Sequence, residues 1–188
     1  VADVLTGKVC ACGKLTDTIA ADIKDYPSTE NFGDPFKNYY KEDIYVGYRY
    51  CETFARDKVL YPFGYGLSYT TYKYEDLNLD RKEIEKDGSV GVSVKVTNTG
   101  SRDGVEIVQL YIRDKFSCVA RPVKELKDFA RVSLKAGESR VVNFKITPDK
   151  LAFYDIKMKK VVEPGEFIVM VGASSDDKDL LKETFTVK

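Results

Sequence analysis

From Tyr72 onward the apolar residues fall on alternate positions in short runs. SVGVSVKVT places Val90, Val92, Val94 and Val96 on one face, and VEIVQLYI does the same with Val108, Leu110 and Ile112. VVNFKI repeats the pattern at Val142, Phe144 and Ile146, FIVMVGA at Phe167, Val169 and Val171, and ETFTV at Phe185 and Val187. A period of two residues is that of a strand with one buried face. Strands are therefore expected near 72–80, 89–98, 105–114, 125–134, 140–147, 152–156, 160–163, 166–173 and 183–188. Turn chemistry separates them: Asn98-Thr99-Gly100, Ala136-Gly137 and Pro164-Gly165, the last fitting the centre of a type II turn. Thr147-Pro148-Asp149-Lys150 reads as a short helical turn, with Thr147 as cap and Pro148 in first position. Short strands at this spacing predict a mainly β fold, an antiparallel β-sandwich over 72–188.

A different alternation precedes it. In YPFGYGLSYT the odd positions are large (Tyr61, Phe63, Tyr65, Leu67, Tyr69) and the even ones small or ring-locked, which predicts an extended segment with its bulk on one face. Ten of the 13 tyrosines lie between Tyr39 and Tyr74, so this face belongs to a wider aromatic surface. Such a surface suits sugar stacking or a half-wet contact between pieces of protein. Apolar patches of this size meet protein more often than sugar, by roughly two to one, and the chain has no tryptophan. The small face leaves room for close backbone approach at Gly64 and Gly66.

Residues 1–60 do not read as a self-contained domain. VADVLTG resembles a last helical turn ended by Gly7, Lys14 to Ala20 one strand, and 21–38 a charged loop. The expectation is the edge of an α/β domain over 1–38, a tyrosine-rich connector over 39–71, and the sandwich over 72–188. The beginning at Val1 reads as a cut through a longer chain.

Charge and candidate chemistry narrow the function mainly by exclusion. Lysine plus arginine equals aspartate plus glutamate at 30 each, so there is no electrostatic footprint for nucleic acid or an anionic membrane. FIVMVGA is too short to cross a bilayer. The chain has no histidine, the usual near-neutral base. The acidic runs, among them Asp176-Asp177-Lys178-Asp179 at an expected hairpin tip, read as solvated surface and not as a calcium loop. Gly64-Tyr65-Gly66 lacks the third glycine of a dinucleotide site. Cys10, Cys12, Cys51 and Cys118 are too few and irregular for a secreted disulfide scaffold, which favours a reducing cytoplasm. A zinc site would need all four from distant segments, and ordinary thiols are the better reading. No metal, cofactor or catalytic residue is expected in the chain.

DIYVGYRYCETF and VLYPFGYGLSYTTYKYEDL resemble the junction before the C-terminal fibronectin type III-like domain of glycoside hydrolase family 3, the β-glucosidases and their xylosidase relatives. VTNTGSRDGVEIVQLYI, RPVKELKDFARVSLKAGESRVVNFKI, LAFYD and VEPGEFIVMVGASS continue the match in family order, and DVLTGKVCACGKLTDTIA resembles the end of the family's α/β sandwich domain. Cys10-Ala11-Cys12 departs from the Asn-Pro-Ser type turn usual there. The resemblance implies an immunoglobulin/fibronectin type III-like sandwich in a retaining glycosidase. It places the aspartate nucleophile on a barrel domain and the glutamate acid/base upstream of Val1, so neither role transfers to a residue here. Glu42 lies in the connector motif and not in the acid/base motif. The implied role is non-catalytic docking onto the catalytic domains of the same chain through Tyr45, Tyr48, Arg49, Tyr61, Phe63, Tyr65 and Tyr69. An oligosaccharide or aryl β-glycoside would meet the chain only through its parent. A carbohydrate-binding module and an oligomerisation module, such as a homodimer, are the alternatives.

Overall fold

A computed structural model describes residues 1–188. Its strands are β1 (Ile19–Ala20), β2 (Val59–Tyr61), β3 (Tyr72–Leu79), β4 (Glu83–Ile84), β5 (Val90–Asn98), β6 (Gly104–Asp114), β7 (Glu125–Leu134), β8 (Ser139–Ile146), β9 (Phe153–Tyr154), β10 (Lys160–Val161), β11 (Gly165–Gly172) and β12 (Leu180–Val187). Short helices cover α1 (Ala2–Leu5), α2 (Tyr48–Phe54) and α3 (Pro148–Leu151).

Two sheets face each other. One is antiparallel in the order β3-β5-β8; the other runs β4-β12-β11-β6-β7 and is antiparallel except for the short β12–β4 pair. The alternating valines of β5, the 142/144/146 set of β8, and Val108, Leu110, Ile112, Phe167, Val169, Val171, Phe185 and Val187 all enter one core. Phe167 and Phe185 stack across β11 and β12 with centroids 5.5 Å apart. The expected strand positions of the sandwich and its core faces agree with this arrangement.

A polar side chain, Asn98, is fully enclosed at the β5–β6 turn. It accepts from Thr70 Oγ1 at 2.5 Å and Gly100 N at 3.1 Å, and its amide donates to the Arg102 and Leu134 carbonyls. Its hydrogen-bonding capacity is used, so its burial is compensated.

Several local expectations need correction. YPFGYGLSYT is not one extended segment: only Tyr61 belongs to a strand, and the chain turns at Phe63-Gly64, where Gly64 has φ +77°. Its large side chains therefore leave in different directions. The strand expected over 14–20 shrinks to Ile19–Ala20, paired with β2. Gly165 opens β11 at φ +155°, far from the value of about +80° that the third position of a type II turn requires. Pro148 occupies the first position of α3 as expected, but the Thr147 side chain makes no cap hydrogen bond.

Candidate docking site

The outer face of the five-stranded sheet is also covered. Tyr111, Met170 and Leu180 point away from the sandwich core and form a second small cluster with Tyr48 and Phe63. The connector thus makes a third layer. Tyr48, the first residue of α2, stacks on Phe63 at 4.4 Å, meets Tyr111 edge-on at 6.3 Å, and accepts a 2.8 Å hydrogen bond from Leu126 N through its hydroxyl. Each ring has an apolar face to bury and a polar tip to satisfy, and this site uses both.

Beside these rings lies a buried ionic latch. Lys124, 2% exposed, donates to Ser175 O at 2.6 Å and Asp177 Oδ1 at 3.0 Å, and lies 3.1 Å from Glu52 Oε2. Glu52, on α2, also accepts from Ser175 Oγ at 2.6 Å and from Arg56 Nε at 3.1 Å. Arg56 reaches on to Asp177 Oδ2 at 2.5 Å, and Lys182 to Oδ1 at 3.0 Å. Three segments far apart in sequence, the connector helix, the approach to β7 and the β11–β12 tip, are locked through one set of charges. The Asp176–Asp179 run does form that tip, but Asp177 is a structural anchor and not simply a solvated acid, because the run folds back over Lys124.

Gln109 closes the same seam. Its amide donates to the Gly64 and Ala173 carbonyls at 3.1 and 2.6 Å, and it accepts from the Tyr111 hydroxyl at 2.6 Å. Phe63 O accepts from Ser175 N, while Leu15 exchanges backbone bonds with Gly64 and Tyr65. At Gly66 a Cβ would stand 2.4 Å from Gly13 O, so the small face of the motif does permit close backbone approach.

The remaining expected site residues are distributed around this layer. Arg49 approaches Glu125 Oε1 at 3.8 Å, and Tyr45 meets Phe54 edge-on at 4.8 Å. Tyr61 and Tyr65 pair at 5.3 Å beside the latch. Tyr69 projects to the opposite end, where its hydroxyl donates to Val4 O at 2.8 Å and Arg102 lies over its ring. Arg102 also donates to Gly7 O, so a cation meets the exposed carbonyl end of α1. Tyr48, Arg49 and Phe63 thus converge on the sandwich, while Tyr45, Tyr61, Tyr65 and Tyr69 do not form one face with them. Glu52, Arg56, Gln109, Tyr111 and Lys124 were not singled out from the sequence, and Asp177 was read there only as part of a solvated acidic run. The ring of Tyr111 at an outward position of VEIVQLYI was the usable signal, since residues 108–112 prove to be buried without interruption.

Cys10 Sγ lies 3.1 Å from Ser68 Oγ, Cys51 is on the buried side of α2, and Cys118 is exposed between β6 and β7. The four thiols do not converge.

Comparison with known proteins decides what this architecture belongs to. Residues 106–175 match the fibronectin type III-like domain family. The whole chain is 43% identical to thermostable beta-glucosidase B of Acetivibrio thermocellus and spans 25% of that protein. Beta-glucosidase BoGH3A of Bacteroides ovatus is 46% identical over 94% of the chain, which again covers 24% of the relative. A crystal structure of the GH3 beta-glucosidase of Bifidobacterium adolescentis superposes with a TM-score of 0.88 at 40% identity, over 99% of this chain and 27% of that one.

The chain is a C-terminal part of a glycoside hydrolase family 3 enzyme.

It spans about a quarter of the length of these relatives. The family 3 sandwich extends beyond the matched domain, since β3, β4 and β5 precede residue 106 and β12 follows 175. Within the family this is a non-catalytic part, and the connector layer is built onto it through the latch and Gln109.

The latch gives the family 3 fragment a defined acid sensitivity. Burial works against ionisation of Asp177, but hydrogen bonds from Arg56, Lys124 and Lys182 overcome it and hold the carboxyl well below the usual range. Glu125 is lowered in the same way, burial being outweighed by Lys127 and Arg121, whereas burial raises Asp114 despite Arg121. A carboxyl whose folded pKa lies below its unfolded value of about 4 adds stability above that value and loses it as pH falls toward the folded pKa. Urea midpoints are therefore expected to fall on acidification below about pH 4, and Asp177→Asn should flatten that fall. Equal slopes in the two proteins would refute the assignment.

Proposed function

We propose that this chain fastens its β-sandwich to the catalytic domains of the same polypeptide, in a parent that is a retaining β-glycosidase of the β-glucosidase type. The observation that carries this reading is where apolar surface remains uncovered. Leu5, Ile23, Phe32, Phe36, Tyr40 and Leu67 are each more than two-thirds exposed, Phe36 at 92%, and lie before the sandwich on the segment that the latch ties to it, against Phe116, Ile156 and Met158 exposed to that degree on the sandwich. The stretches flanking α2 thus leave several large apolar and aromatic side chains open, and apolar surface of that kind meets protein.

The segment is thus buried on one side against the sandwich and open on the other. Such a layer transmits the position of the sandwich to whatever covers its open side. Tyr45, Tyr61, Tyr65 and Tyr69 are placed in this reading as contacts to the catalytic domains, and Tyr48, Arg49 and Phe63 as the inward half of the same joint. The family resemblance puts nucleophile and acid/base outside residues 1–188, so hydrolysis belongs to the parent.

In the full-length enzyme, Tyr65→Ala is expected to lower the melting temperature while leaving the Michaelis constant for an aryl β-glucoside nearly unchanged. The isolated chain should release no aglycone from that substrate above background. A raised Michaelis constant at unchanged melting temperature would mean that the tyrosine contacts sugar, and the docking reading would fail.

A further inference from the structure

Residues 32–41 form an arm that leaves the body of the protein. All ten are exposed, although they include the aromatic residues Phe32, Phe36, Tyr39 and Tyr40. These four rings join neither hydrophobic cluster. The hydrogen bonds of the arm are local: Asp34 accepts from Phe36 N and Lys37 N at 2.8 and 2.9 Å, Phe32 N donates to Ser28 O, and Asn31 Nδ2 donates to Tyr39 O at 3.2 Å. Nothing in these contacts fastens the arm to the sandwich.

Both ends of the arm, by contrast, are fixed. Before it, β1 pairs with β2, Ala21 N donates to Lys58 O and Tyr26 Oη donates to Thr18 O. After it, Tyr45 meets Phe54 edge-on and Tyr48 stacks on Phe63 in the docking site. The protein therefore holds a row of aromatic side chains out in solvent from two anchored points. A single exposed ring is unremarkable, but a group of them marks a contact. At about 150–250 Å² buried for each aromatic side chain, four offer roughly 600–1,000 Å². That is the size of a contact between domains of one chain, about 600–1,500 Å².

Two occupants fit such an arm, a second copy of the chain or the polypeptide that precedes it in the family. The chain is a C-terminal part and spans about a quarter of its relatives, so the larger share of the polypeptide lies before it. That share is tethered to the arm and meets it at the millimolar effective concentration of an intramolecular contact, an advantage a second copy lacks. Exposed Lys37 and Lys41 stand among the rings, and each ammonium needs oxygen acceptors. We propose that residues 32–41 are a clasp, seating Phe32, Phe36, Tyr39 and Tyr40 in an apolar groove, rimmed by oxygen acceptors, on the catalytic domains of the same polypeptide. The proposal rests on the docking reading and adds to it a contact separate from Tyr61, Tyr65 and Tyr69.

The test compares the full-length parent with the 188-residue chain by hydrogen exchange and limited trypsin digestion. In the chain alone the amides of residues 36–41 should exchange with little protection, and trypsin should cut after Lys37 and Lys41. In the parent both processes should be slower by at least about tenfold. Phe36→Ser combined with Tyr40→Ser should return the parent's arm to the fast exchange of the isolated chain and lower the parent's melting temperature. The same pair of changes should leave the urea midpoint of the isolated chain where it was, which separates lost docking from lost folding. An arm that is unprotected in the parent overturns the proposal, and if Tyr65→Ala still lowers the melting temperature there, the docking reading stands without it. Full protection in the double variant overturns it too. So does protection that appears in the isolated chain as its concentration and its mass by light scattering rise together, which would assign the arm to a second copy.

Discussion

Replacing Lys124 with alanine is expected to destabilise the chain by about 3–5 kcal/mol, the range found when one partner of a buried ion pair is removed. The ammonium is the only group that touches Glu52, Asp177 and the Ser175 carbonyl together. Without it Glu52 keeps Arg56 and Ser175 Oγ, but it has lost the charge that lies behind it in the protein. For a chain of this size the melting temperature should drop by roughly 10 °C. Much of the penalty is the uncompensated carboxylate and not the net worth of the pair, so Lys124→Met combined with Glu52→Gln should cost clearly less than the sum of the two single changes. Strict additivity, or a loss of less than about 1 kcal/mol in Lys124→Ala, would show that the latch contributes little. The connector should loosen before the sandwich melts, which makes early hydrogen exchange in α2 the local readout.

The latch also shows where reading the sequence reached its limit. The sandwich was legible because β5 and β8 each bury one face, and because the core-facing residues of β11 and β12 still recur at a period of two although Met170 and Leu180 bury against the outer layer. β6 buries both faces: Val108, Leu110 and Ile112 enter the core while Gln109 and Tyr111 meet the connector. The alternation disclosed only the first set. Helix α2 was invisible for a different reason. YRYCETF is rich in tyrosine, which favours strands, and seven residues are too few for a helix to stand without tertiary support. Its support comes from Glu52 and Lys124, and charged residues read by default as surface. The aromatic motif was recognised as an interface by its composition, but its geometry depended on one backbone angle that alternation does not reveal.

That angle leads to the second large effect, at Gly64. Gly64→Ala should cost about 2–4 kcal/mol through two separable causes. The first is conformational: φ is +77°, a region that alanine enters only with strain. Gly137 provides the reference for this cause, since its φ is +74° and a methyl group added there would meet nothing within 4 Å, so Gly137→Ala should cost only about 1 kcal/mol. The second is steric. A Cβ at Gly64 would stand 2.0 Å from Gln109 Oε1 and 2.7 Å from its Cδ and Nε2. Gln109 cannot yield cheaply, because displacing it strands the Gly64 and Ala173 carbonyls and the Tyr111 hydroxyl inside the seam. Gly64→Ala should therefore be the more damaging of the two by at least about 1 kcal/mol in urea unfolding. Adding Gln109→Ala to each variant separates the causes: it should be less than additive with Gly64→Ala, where the clash has already removed the glutamine's bonds, and additive with Gly137→Ala. Equal losses for the two glycines would mean that backbone strain alone accounts for Gly64, and that close approach to Gln109 is not what holds the turn of YPFGYGLSYT against the sandwich.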